Sequence, residues 1–322
     1  MTENMQQAKK DFSRFGFGLF TIGIVTAAAQ LLLTLIWNAL FRGTALGQME
    51  IMRWILALAP MYLVGFPAGM LLIRKLPTEA AEKQKLSFGR FMLLMLICMP
   101  VMYGGNLIGN TLSSLFSGGT AENAILDFVM GNPWYSFIFT VLLAPFMEEF
   151  IFRKQLIDRL GKYGEKTAIL FSGITFGLFH MNLFQFFYAF GLGVIFAYVY
   201  TRTRMLRYPV IMHMIINFMG SIIAPMLLGM LDLELLLSPD TATPDQLMQM
   251  LPGMLAYLGY ALLLLASSFA GLVVIAVRWK KAQFRSASQE LLPGTGAEAI
   301  CRSPGMIIFS VFCLIMIIFA LF

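Results

Sequence analysis

Long runs of apolar residues constrain this chain more than any other feature of its sequence. About twenty consecutive apolar residues cross the hydrocarbon core of a bilayer as a helix. Nine runs of roughly this length are predicted to be helical spans, at 16–41, 51–73, 91–116, 134–152, 166–181, 183–201, 208–230, 252–277 and 306–322. The pattern predicts an all-α polytopic membrane protein with about eight core transmembrane helices, to which the last run adds an extra C-terminal helix.

The composition excludes the main classes of soluble protein. Hydrophobic residues make up 59% of the 322 residues and charged residues 12%, whereas a soluble domain carries about 25% charged residues. A soluble enzyme could not bury this much apolar surface. Three cysteines without a pairing pattern or metal-binding spacing argue against a disulfide scaffold. The net charge of +6 is expected to face membrane lipid, so no nucleic-acid partner is predicted.

The distribution of Lys and Arg predicts the orientation of the spans. Basic residues concentrate on the cytoplasmic side of membrane proteins. If the N-terminus is cytoplasmic, all of the 23 Lys and Arg residues except Arg42 and Arg53 fall in or beside cytoplasmic segments. The opposite orientation would leave only those two inside. The sequence therefore predicts a cytoplasmic N-terminal segment, 1–15, followed by a multi-helix transmembrane domain, 16–278. A polar linker, 279–305, and a C-terminal transmembrane helix, 306–322, complete the chain.

Two adjacent carboxylates, Glu148 and Glu149, follow fourteen residues without a charge. Ionisable groups inside membrane spans are costly and commonly functional. Arg153 lies four residues after Glu149, which is the favourable order for a helical ion pair. It would hold one carboxylate charged and leave the other as a proton acceptor. Pro145 is predicted to kink the helix and open a backbone carbonyl to water or a partner. A simple charge cluster that ends a span is the alternative.

Both histidines of the chain fall in predicted spans, each with a partner four residues away. Phe176 and His180 share one helical face, as do His213 and Asn217. Taken alone, a structural histidine and a core phenylalanine are the alternatives. Together with the carboxylates, the residues suit hydrolysis, because a carboxylate or carboxylate–histidine pair deprotonates water and a histidine or amide stabilises the oxyanion. Glutamate with two histidines is equally a donor set for Zn²⁺, although HExxH and a nucleophile elbow are absent.

The ordered motifs resemble those of a known family, the CAAX-processing and bacteriocin-processing (CPBP) intramembrane proteases. The resemblance covers about 134–225 and rests on three matches: Glu148-Glu149-x-x-x-Arg153, Phe176-x-x-x-His180 and His213-x-x-x-Asn217. It implies a catalytic core within about eight transmembrane helices and a cavity open to the cytosol. It also implies that Glu148 with His180 activates water, while His213 and Asn217 form the oxyanion site.

By the same resemblance, Glu149 joins the catalytic group and Arg153 and Phe176 support it. Members of the family are described both as glutamate-dependent proteases and as metalloproteases. The cofactor prediction is therefore open between none and Zn²⁺ held by Glu148, His180 and His213. The expected reaction is peptide-bond hydrolysis in a membrane-associated peptide or a lipidated, for example prenylated, protein. The expected location is a bacterial cell membrane, with the active site toward the cytoplasm.

Two other functions are consistent with the same residues. One is a catalytically inactive membrane protein that binds a peptide or partner, as in bacteriocin immunity. The other is a proton-coupled transporter, which also uses intramembrane Glu and His. The predicted spans contain one conflict in depth, because Glu148 lies near the cytoplasmic end of its span. His180, in contrast, lies fourteen residues beyond Lys166, about 20 Å along a helix. The oligomeric state is not predicted.

Overall fold

The computed structural model describes residues 3–79, 81–232, 235–236, 243–278 and 284–322. This described part is helical and contains no strand. Residues 279–283 of the predicted linker lie outside it. We number the helices used below in chain order: α1 (Glu3–Phe41), α2 (Glu50–Ile73), α3 (Phe88–Ser117), α4 (Ala124–Val129), α5 (Pro133–Tyr163), α6 (Glu165–Phe179), α7 (Leu183–Thr203), α8 (Arg207–Leu228), α9 (Pro244–Arg278), α10 (Thr295–Cys301) and α11 (Pro304–Phe319).

Among the described residues, seven helices are long and apolar enough to cross a membrane, and the bent pair α10–α11 would make eight. The predicted all-α polytopic membrane fold is confirmed. One predicted span, 166–181, behaves differently from the others. It corresponds to α6, which has 15 residues and is therefore about 22 Å long at 1.5 Å per residue. This is shorter than the roughly 30 Å of hydrocarbon that a spanning helix must cross.

Helix α5 extends beyond the predicted end at residue 152 and continues to Tyr163. Glu148 therefore lies in the interior of the helix, about fifteen residues before the end of α5. His180 lies about fifteen residues after the start of α6, and the two helices are joined through Gly164. Both side chains are thus about 22 Å along their helices from the same turn. The longer α5 removes the conflict in depth that the shorter predicted span created.

Helices α6 and α7 pack closely and are joined by a sharp break near the centre of the molecule. A Cβ atom placed on Gly177 would lie 2.9 Å from the carbonyl oxygen of Phe186, so this contact requires glycine. In the break, Met181 has a positive φ of 53°. Asn182 caps α7, because its side chain accepts a hydrogen bond from the Gln185 N–H at 2.9 Å. The break places His180 at the end of α6, beside the helices that carry the other motifs.

The predicted cytoplasmic segment 1–15 is largely the first part of α1. Residues three or four positions apart form a buried stripe, which consists of Met5, Ala8, Phe12 and Phe15. Within this stripe, the carboxylate of Asp11 accepts a hydrogen bond from the Tyr163 hydroxyl at 2.7 Å. The same carboxylate lies 3.1 Å from Lys162 Nζ. These buried contacts attach the first turns of α1 to the end of α5.

The C-terminal helix α11 packs along α1. Gly305 and Gly16 lie at the crossing, where a Cβ atom on Gly305 would overlap the carbonyl oxygen of Ser13. The Gly305 N–H donates to Ser13 Oγ at 3.0 Å. Helix α10, inside the predicted linker, meets α11 at 70°. The last helix, α11, therefore packs against one specific partner, α1.

Candidate active site

The three sequence motifs meet where α5, the end of α6 and α8 approach one another. His213 on α8 lies between the two adjacent carboxylates of α5. Its Nδ1 is 3.0 Å from Glu149 Oε1 and its Nε2 is 3.8 Å from Glu148 Oε2. The charge of Glu148 also acts on His180, as does the imidazole of His213. The predicted convergence of carboxylates and imidazoles is therefore present in the structure.

Glu149 and Arg153 form a fully buried ion pair, with no exposure of either side chain. Arg153 Nε lies 2.8 Å from Glu149 Oε2, and Nη2 donates to Oε1 at 3.2 Å. The remaining Nη1 donates to Ser172 Oγ at 2.8 Å. The guanidinium also lies 4.6 Å from the ring centre of Phe176. A two-point contact of this kind fixes the carboxylate in direction as well as in charge.

His213 is oriented by Glu149 through its Nδ1 atom. A carboxylate that is ionised can only accept a hydrogen bond, so Nδ1 carries the proton in this contact. Nε2 is then directed toward Glu148, and in the neutral ring it is an acceptor. Two aromatic rings hold the imidazole: Phe176 at 5.8 Å and Phe196 at 5.4 Å between ring centres. The buried Glu149 therefore sets both the tautomer and the direction of His213.

His180 is oriented by a backbone carbonyl. Its Nδ1 lies 2.8 Å from the carbonyl oxygen of Phe176, and because a carbonyl only accepts, Nδ1 is the donor. The ring of Phe176 packs edge-on against the His180 ring at 4.8 Å. The predicted Phe176–His180 pair is therefore confirmed as a contact. Phe176 supports the site in three ways, since its ring also borders Arg153 and His213.

Asn217 contacts the backbone of α5. Its Nδ2 donates to the carbonyl oxygen of Thr140 at 2.8 Å. Thr140 lies in a π-helical segment, Phe137–Leu143, where each carbonyl normally bonds to the N–H five residues later. That residue is Pro145, which has no N–H. The open carbonyl predicted from Pro145 is confirmed, and Asn217 is its partner. One N–H of the Asn217 amide remains for another acceptor.

The exposure of the two carboxylates differs. The Glu148 side chain is 16% exposed, whereas that of Glu149 is completely buried. No Lys or Arg among the described residues forms a salt bridge with Glu148. Of the two glutamates, Glu148 is therefore the one that is accessible and uncommitted.

The described residues contain no three His, Cys, Asp or Glu side chains arranged to hold a metal ion. The predicted donor set of Glu148, His180 and His213 is close in space but does not form such a group. The His213 Nε2 and Glu148 Oε2 atoms lie 3.8 Å apart, but among the described residues no third side chain completes a metal-binding group with them. The arrangement as it stands does not fit a zinc centre.

Sequence reasoning missed two residues that contact the site. Thr140 supplies the carbonyl for Asn217, and Ser172 links Arg153 to the carbonyl oxygen of Phe152 through bonds of 2.8 and 2.7 Å. A polar Ser172 within the apolar α6 was a usable signal.

Comparisons with known proteins agree with this geometry. A family model described as "Type II CAAX prenyl endopeptidase Rce1-like" matches residues 130–219, the segment that carries the three motifs. A protein of Bacillus subtilis (strain 168) named "Putative membrane peptidase YdiL" is 29% identical over 157 residues. That alignment spans 46% of this chain and 63% of the relative. No solved structure gives a significant match. The predicted resemblance to the CPBP family of membrane proteases is confirmed.

Proposed function

We propose that this chain, whose motif-bearing segment belongs to the CAAX endopeptidase-like family, is an intramembrane endopeptidase with Glu148 as its general base. The observation that supports the proposal is that the two adjacent carboxylates differ in burial and in their contacts. Glu149 is buried and bound by Arg153 and His213, whereas Glu148 is accessible and faces the His213 Nε2. Glu148 suits general-base hydrolysis because it can accept a proton from a bound water molecule, while the buried ion pair of Glu149 and Arg153 stays fixed beside it.

In the proposed first step, Glu148 takes a proton from a bound water molecule, assisted by His180. The hydroxide oxygen forms a bond to the carbonyl carbon of the scissile peptide. The electron pair of the carbonyl π bond moves to its oxygen, which becomes an oxyanion. His180 suits the assisting role because its Nδ1–H is bound to a backbone carbonyl and its neutral Nε2 can accept.

The oxyanion is stabilised by donors on α8. His213 Nε2 donates when the ring carries a proton on both nitrogens. Asn217 contributes the N–H that is not bound to Thr140. In the second step the carbon–nitrogen bond breaks, and the proton held by Glu148 passes to the leaving amine. The products are a carboxylic acid and an amine, and Glu148 returns to its carboxylate form.

We place the N-terminus and the opening of the site on the cytoplasmic side, because the basic residues concentrate there in that orientation. The proposed substrate is a membrane-associated peptide or a lipidated protein. Its apolar part would lie in the bilayer. Helix α9 is apolar, and only 6% of its most apolar 18-residue stretch is buried inside the protein. The matched family is described as an endopeptidase and the relative as a membrane peptidase, and both descriptions support peptidase chemistry.

Cleavage by purified protein in lipid vesicles tests the proposal. The probe is a library of acylated and farnesylated peptides, each assayed with and without a chelator. We expect the parent to cleave some of them and Glu148→Gln to lower the rate by about 10²–10⁴-fold. The matched control is Glu122→Gln, an exposed glutamate in the loop before α4, which should leave the rate unchanged.

Three results would contradict the proposal. Equal cleavage by the parent and Glu148→Gln would remove Glu148 from the chemistry. No cleavage of any peptide by the parent would favour the partner-binding alternative. Strong inhibition by the chelator, with activity restored by zinc, would replace the carboxylate mechanism by a metal-dependent one and require rearrangement of the donors.

A further inference from the structure

The hydroxyl of Tyr62 is buried without a hydrogen-bond partner among the described residues. Tyr62 lies in a π-helical turn of α2, Pro60–Gly65, and thus outside the segment that carries the motifs. Buried hydroxyls in folded proteins are normally hydrogen-bonded, because an unpaired one loses its contacts with water and gains nothing in return. π-helical turns are also frequent at functional sites. The two features together mark Tyr62 as a residue with a role beyond packing.

The neighbours of Tyr62 indicate what that role is. Tyr62 packs against the buried core cluster that includes Phe152 and Phe176 of the site-bearing helices. The Tyr62 ring lies 5.5 Å from Phe66, and Phe66 stacks on Phe179 at 6.5 Å. Phe179 immediately precedes His180. Aromatic contacts therefore connect Tyr62 to the helix end that carries His180.

The donors already assigned to the oxyanion are each restricted. Asn217 uses one of its two N–H groups on Thr140. His213 donates from Nε2 only when the ring is protonated, because Nδ1 is bound to Glu149. A neutral donor that needs no proton transfer would complete the site. The hydroxyl of Tyr62 is such a donor, and it is not committed to any described group.

We propose that Tyr62 is a further catalytic residue, whose O–H donates a hydrogen bond to the scissile carbonyl oxygen as it becomes an oxyanion. This rests on the proposed endopeptidase function. Tyr62 keeps its proton throughout, so the proton taken by Glu148 still passes to the leaving amine. The contact strengthens as charge develops on the oxygen, and it therefore accelerates the chemical step more than it tightens substrate binding.

The test is Tyr62→Phe, which removes one oxygen atom and keeps the ring. We expect kcat on a peptide that the parent cleaves to fall by about 10²–10³-fold, with KM changed by less than about threefold. The control is Tyr260→Phe on α9, whose hydroxyl donates to the carbonyl oxygen of Met219 at 3.0 Å. It should leave kcat unchanged.

Thermal unfolding separates a catalytic from a structural role. Removing an unpartnered hydroxyl should leave the unfolding temperature of Tyr62→Phe equal to or above that of the parent. A lower unfolding temperature, or failure to fold, would show that the hydroxyl is bonded in the folded protein and overturn the inference. Unchanged kcat in Tyr62→Phe would overturn it too, while the endopeptidase function would stand. A parent that cleaves nothing would overturn the function and this role with it.

Discussion

Replacing Arg153 by methionine should destabilise the protein strongly, because Arg153 neutralises a carboxylate that has no contact with solvent. The side chains of Arg153 and Glu149 are both completely buried. Breaking a buried ion pair by removing one partner costs about 3–5 kcal/mol, since the other charge stays buried. For a chain of this size, each kcal/mol lowers the unfolding temperature by about 2–4 °C. We therefore expect Arg153→Met to unfold about 6–20 °C below the parent.

The double variant Glu149→Gln with Arg153→Met distinguishes charge burial from lost packing. It removes both charges, so it should be more stable than Arg153→Met alone, because no unpaired charge stays buried. The assay is thermal unfolding in detergent, followed by intrinsic fluorescence. The control is Lys154→Met at the next position, whose Nζ lies 3.1 Å from Asp158 but is 47% exposed. A loss of about 1 kcal/mol or less is expected there. Equal unfolding temperatures for Arg153→Met and the double variant would refute the reasoning.

Two further predictions concern backbone contacts and use the same assay. Asn217→Ala should lower stability by about 1–3 kcal/mol, because the Thr140 carbonyl loses its donor. The loss should be smaller in a Pro145→Ala background, where an N–H returns five residues after Thr140, and an equal loss in both backgrounds would contradict this. Gly305→Val should lower the unfolding temperature because its Cβ overlaps α1, whereas Gly259→Val, which meets no neighbour within 4 Å, should not. Similar effects of both valines would contradict the packing argument.

The sequence alone was sufficient for the fold class and for two of the contacts in the candidate site. Apolar runs report spans directly, because every lipid-facing turn must be apolar along its length. The pairs Glu149–Arg153 and Phe176–His180 were also predictable, since residues four apart on a helix are neighbours whatever the rest of the fold does. Both pairs are in contact in the structure.

Contacts between helices were not predictable in the same way. The i, i+4 spacing selects Glu149 as the partner of Arg153, but the contact of Glu149 with His213 depends on the placement of another helix, α8. The hydrogen bond of Asn217 depends on the π-helical segment of α5. In this segment the Thr140 carbonyl would bond to the N–H five residues later, but that residue is Pro145, which has none. The end of α5 was missed, because hydropathy measures composition and not where a helix ends: the predicted span stops at residue 152 and the helix continues to Tyr163.

The N-terminal end of α5 provides evidence on the transporter hypothesis. It is the end that lies far from the junction with α6. A proton pathway would need polar groups beyond the site toward that end. The structure instead places aromatic rings there: Trp54 stacks on Phe139 at 5.3 Å and packs edge-on against Phe128 at 4.8 Å. Phe139 lies nine residues before Glu148 on the same helix. These rings form an aromatic cluster, on which Arg53 packs with its guanidinium 5.2 Å from the Phe128 ring centre. Such a cluster would narrow a proton pathway at this depth, which weighs against the transporter hypothesis.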